Sequence, residues 1–86
     1  MVAHTPTVSS EMILRLIREQ VPGIDAERPL SDDADLWQAG MDSLSSVAVV
    51  VAVEEEYAVE FPDELLTREA FSSAAAIAAA VRSLVG

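Results

Sequence analysis

Cysteine is missing from all 86 residues. That excludes disulfides, thiolate metal sites and thiol nucleophiles, and it fits a reducing, cytoplasmic setting. Lysine is missing too: the five basic residues are all arginine, set against fifteen Asp plus Glu, for a formal net charge of −10. Such a surface repels phosphate backbones and anionic lipid, so nucleic-acid and membrane-surface binding are both disfavoured. It steers the chain instead toward partners with basic patches. Long apolar runs are lacking as well. The two longest, residues 47–53 and 74–81, fall well short of the roughly 18 needed to span a bilayer. Between Met1 and Thr7 there is neither a basic n-region nor an apolar h-region, so no signal peptide is expected. What remains is 51% hydrophobic, a composition that folds. A chain this short makes one small domain, which hides only about 60% of its unfolded surface and has little room for a deep active site.

Residues 1–8 carry Pro6 and no periodicity and are expected to fray, leaving 9–86 as the domain. Ser9 or Ser10 can cap a first helix, with Glu11 in its first turn against the positive dipole end. Ile13, Leu14, Ile17 and Val21 follow at helical spacing, and Pro22-Gly23 stops the helix. From residue 24 to Gly40 runs a long acidic connection, a kind of loop that is usually functional or pinned. Leu30, Leu36 and Trp37 are the expected pins. A second helix is expected from Ser43 to about Tyr57. Its Val-rich centre has strand character, but a strand of that length is unusual. Pro62, with Asp63 and Glu64, opens a short helix. Ser72 or Ser73 caps a last one, with Ile77, Val81 and Leu84 facing inward. The expected fold is all-α: a four-helix bundle of three longer helices and one short one. The expected core includes Ile17, Val47, Val50, Val53, Phe71, Ile77 and Val81.

The informative stretch is Gly40-Met41-Asp42-Ser43-Leu44. A serine stands where the loop turns into a helix, so its hydroxyl projects from a helix start. Backbone N–H groups there are unpaired and the dipole is positive, which stabilises a phosphate esterified to that oxygen. Gly40 permits the tight turn and Leu44 opens the apolar face. The plainer reading makes Ser43 a simple N-cap, although Asp42 can cap the same helix. No catalytic base accompanies Ser43, because the only histidine is His4 in the expected frayed end. A serine-hydrolase reading fails, and no catalytic residue is assigned.

These residues resemble the acyl carrier protein family. Asp42-Ser43-Leu44 after Gly40 is similar to its phosphopantetheine attachment motif, and Asp35-Leu36-Trp37 stands at a fitting distance before it. Glu54-Glu55-Glu56-Tyr57 and then Phe61-Pro62-Asp63 resemble the end of the family's second helix and the loop beyond. The resemblance covers about residues 10–84. It implies a stand-alone carrier, not an enzyme, with 4'-phosphopantetheine on Ser43 and Asp42 and Leu44 flanking the attachment. The arm's thiol holds acyl or aminoacyl groups as thioesters, so the reactive sulfur absent from the chain arrives with the cofactor.

The implied partners are a phosphopantetheinyl transferase and an acyltransferase, ligase or synthase with a basic docking patch, meeting a monomeric carrier. Positions matching the family's docking surface are Leu44, Val51, Glu54, Glu55, Glu60 and Asp63. Ser45, Ser46 and Ala48 stand where acidic residues are often found, which shifts weight toward apolar contacts by Leu44 and Val51. Trp37, near Ser43, is either a loop anchor or a contact for the arm. Asp32, Asp33 and Asp35 lack calcium-loop spacing, and no metal is expected. Residues 60–73 look most like carriers of bacterial polyketide and antibiotic pathways, including aminoacyl carriers; fatty-acid synthesis is the alternative. From another class, the rival is an acidic helical adaptor without a cofactor.

Overall fold

Ser9 starts the fold by doing what a cap must. Its hydroxyl accepts the Met12 N–H at 3.2 Å, and α1 runs from Ser10 to Gln20. The computed structural model describes residues 8–25 and 27–85. Along α1, Ile13, Leu16 and Ile17 turn inward at helical spacing. Val21 ends the helix and is itself fully buried. Asp35 caps a short helix α2, Leu36–Ala39, through the N–H groups of Trp37 and Gln38. The principal helix α3 spans Ser43–Tyr57, and α4 spans Ala74–Val85. Ser73 is the serine at the head of α4, its hydroxyl accepting the Ala76 N–H at 3.0 Å. Helix α1 packs against both α3 and α4. The architecture is all-α with four α-helices, as expected, and no strand is present among the described residues.

A short helix does follow Pro62, but it is not α-helical. After Pro62 the chain makes only a single 3-10 turn, Asp63–Leu65, whereas the extra α-helical turn is α2, inside the long connection. Four residues are too few to show helical periodicity, so only the Asp35 cap marked it. The connection is tightly held. Leu36 is fully buried and its N–H donates to the Ser72 carbonyl at 2.8 Å, while the Ala75 N–H donates to the Asp32 carbonyl at 2.7 Å. The aspartates of this loop serve it structurally: Asp33 accepts the Ser31 hydroxyl and Asp35 caps α2. Val8, expected to fray, is buried instead, and its carbonyl accepts from Arg82 at 3.1 Å. Residues 1–7, His4 among them, and Gly86 lie outside the described residues.

Helix α3 corrects the expected core. Val47 is 60% exposed, whereas Val49, Val53 and Tyr57 are buried. At about 100° per residue, positions 49, 53 and 57 form one stripe and positions 44, 47 and 51 lie round the other side. Every turn of this helix is apolar up to Glu54, so the sequence marks no buried face. Packing against α1 chooses it. Among the described residues, no helix is long and apolar enough to cross a membrane.

Candidate functional site

The entry into α3 is built by backbone constraints. Gly40 follows α2 with φ +133°, a conformation that side chains rarely adopt, and Met41 drops into the core. The chain then reaches Asp42 in an extended conformation, and α3 begins. Asp42, not Ser43, is the cap. Its carboxylate accepts the Ser45 N–H at 2.7 Å, and the Ser45 hydroxyl reciprocates by accepting the Asp42 N–H at 3.0 Å. This is a capping box, which satisfies two backbone donors at once. The Ser45 N–H is the main influence holding the Asp42 carboxyl below its ordinary value of 3.8, and the Ser45 hydroxyl adds to it.

With capping done by its neighbours, Ser43 has no local task. It occupies the first helical position, is exposed, and its hydroxyl makes no hydrogen bond among the described residues. An uncommitted, accessible hydroxyl at the positive end of a fifteen-residue helix can receive a bulky phosphodiester without breaking a contact. The plain capping reading of Ser43 is thereby removed. Leu44, next to it, is 82% exposed.

Beside Ser43 lies a groove of about 370 Å³. Its lining includes Ser43, Val47 and Val50 of α3 together with Leu66, Arg68, Phe71 and Trp37. Arg68 holds the Trp37 ring twice: the indole N–H donates to the Arg68 carbonyl at 3.1 Å, and the Arg68 guanidinium carbon lies over the ring, 4.5 Å from its centroid. Trp37 is thus a loop anchor that also lines the groove. Arg68 and the groove itself escaped the sequence reading, because Trp37 and Arg68 lie 31 residues apart and no local pattern joins them.

A family model for the phosphopantetheine attachment site matches residues 13–81. The chain belongs to the phosphopantetheine-bearing carrier proteins. It is therefore a non-catalytic carrier and not an enzyme, and its cofactor is phosphopantetheine. An aminoacyl carrier protein of Agrobacterium fabrum is 41% identical to this carrier over 56 residues, 65% of this chain and 68% of the relative. Two crystal structures of an engineered Bradyrhizobium japonicum glycine:[carrier protein] ligase complexed with carrier protein from Agrobacterium tumefaciens contain a similar chain. In the complex with ATP, the match has a TM-score of 0.74 at 34% identity and covers 87% of this chain and 97% of the other. In the complex with AMP, the values are 0.79, 32%, 86% and 99%.

The remaining sequence-expected positions divide into two groups. Val51, 48% exposed, joins Leu44 and Val47 on one face of α3, while Glu55, Glu60 and Asp63 are exposed at and beyond its far end. Glu54 is different: its carboxylate accepts the Phe61 N–H at 2.8 Å and so holds the turn after α3.

Proposed function

We propose that Ser43 is the residue that receives the phosphopantetheine arm. The observation that carries this is the Ser43 hydroxyl itself, exposed and without a hydrogen-bond partner among the described residues, at the start of α3. Asp42 flanks it as a fixed carboxylate for the modifying transferase to read, and Leu44 offers an apolar contact on the other side. When bound, the arm supplies a terminal thiol able to hold a carboxylic acid as a thioester. The chain's own residues present that arm and orient the domain toward partners. Incubation with coenzyme A and a broad-specificity phosphopantetheinyl transferase tests the assignment by intact mass. A gain of one phosphopantetheine, abolished by Ser43→Ala, is expected; a gain that persists in the variant overturns it.

For cargo, the reading extends to an aminoacyl group loaded by an ATP-dependent ligase. It is supported by the relative's description as an aminoacyl carrier and by the glycine ligase bound to the similar carrier. The polyketide and antibiotic setting is supported by the resemblance of residues 60–73. The face offered to such partners is Leu44, Val47 and Val51, flanked by Glu55, Glu60 and Asp63. Exposed apolar side chains gathered on one helix face form a patch suited to another protein, and the acidic end suits a basic rim. A cofactor-free adaptor uses the same face but leaves the mass unchanged.

A further inference from the structure

We infer that Arg68, stacked on Trp37, is the cation that holds the phosphodiester of the arm and seats its first part in the groove along α3. This rests on the assignment of the arm to Ser43. A chain with fifteen acidic and five basic side chains resists gaining another anion, and Asp42 already puts one beside Ser43. Arg18 and Arg82 are committed to backbone carbonyls, those of Arg28 and Val8 respectively. Arg68 alone among the arginines lines the groove that Ser43 also lines. Despite the excess of carboxylates, none pairs with Arg68 among the described residues.

Its setting leaves the useful part of the guanidinium available. The guanidinium carbon lies over the Trp37 ring, 4.5 Å from its centroid, and none of its N–H groups donates a hydrogen bond among the described residues, so they are available to phosphate oxygens, often two at a time. The platform is fixed, because the ring beneath is tied to the Arg68 backbone. Less side-chain freedom is therefore lost when an anion binds. The groove, about 370 Å³, lies at the small end of the roughly 300–1,000 Å³ of small-molecule sites. Its Val47, Val50 and Phe71 walls suit an uncharged linker and not a charged head group.

Trp37 is the only tryptophan and reports on this directly. Wild type and Arg68→Gln are each converted with coenzyme A and transferase, and conversion is verified by mass. Acrylamide quenching of Trp37 and the phosphorus NMR shift of the phosphodiester are then compared, quenching being taken as the difference between the modified and unmodified form of each variant. In wild type, attachment should protect Trp37. In Arg68→Gln that protection should be lost and the phosphorus signal should move toward that of a free phosphodiester. Equal quenching before and after attachment in wild type, or the same protection and phosphorus shift in Arg68→Gln, overturns the role of Arg68 while leaving the Ser43 assignment intact. No mass gain on folded wild type overturns the Ser43 assignment and this inference with it.

Discussion

The backbones of Gly23 and Gly40 press against each other, so that a Cβ built on Gly23 would lie 2.6 Å from the Gly40 carbonyl oxygen. A Cβ on Gly40 would meet the Gly23 carbonyl still more closely, and φ +133° there is itself unfavourable for any side chain. Gly23 lies just beyond the end of α1 and Gly40 delivers the chain to Asp42, so this contact links the α1 terminus to the presentation of Ser43. Gly40→Ala should cost about 1–3 kcal/mol from the forced conformation alone, with steric displacement added. Urea unfolding measures it. An unchanged midpoint shows that the two backbones separate freely, which the close approach opposes.

Asp42 makes the start of α3 sensitive to acid. Its carboxyl is held below 3.8 chiefly by the Ser45 N–H, so the folded state favours the ionised form. A carboxyl with a depressed folded value contributes stability above its unfolded value and loses it as pH falls through the folded one. The advantage of wild type over Asp42→Asn should therefore be constant near neutrality and shrink as the pH drops below 3.8. Asn still accepts a hydrogen bond, which isolates the charge from the cap. Parallel unfolding curves across pH decide the point; a gap that widens in acid contradicts it.

Two valines only two positions apart should behave oppositely. Val53 is fully buried and Val51 is 48% exposed. Val53→Ala removes two buried carbons and leaves a cavity, costing about 2 kcal/mol. Val51→Ala should stay within about 0.5 kcal/mol of wild type, as surface substitutions do. If Val51 serves docking, its variant should nonetheless be loaded less efficiently by a partner ligase while accepting phosphopantetheine normally.

That contrast also marks where sequence reasoning stopped. The α3 boundaries were legible, because Asp42 and Ser43 follow a glycine turn and Glu54-Glu55-Glu56 precede Tyr57. The stop at Pro22-Gly23 was legible for the same local reasons. The rotation of α3 was not: in a helix apolar all round, Val47 and Val49 look alike until α1 selects one. Ser43 was readable as the important residue, but its release from capping depended on Ser45 reaching back to Asp42. The groove was hidden because Trp37, Val47 and Arg68 are brought together only by tertiary packing.

The acidic end of α3 needs its glutamates separated. Glu54 accepts the Phe61 N–H at 2.8 Å, and the Phe61 ring in turn lies 5.4 Å from that of Phe71. Reversing its charge removes an acceptor from the turn, so Glu54→Lys should destabilise by about 1.5 kcal/mol, the low end for a hydrogen bond to a charged group. Glu55 is exposed, and Glu55→Lys should leave the melting temperature nearly unchanged. Its effect belongs to encounter: loading by a ligase with a basic docking patch should slow, most strongly at low ionic strength, because screening weakens long-range attraction. Measuring both variants for stability and for loading rate across a salt series distinguishes the roles. Slow loading by Glu54→Lys alone, accompanied by lost stability, would trace the defect to a damaged turn and remove the acidic end of α3 from the docking surface.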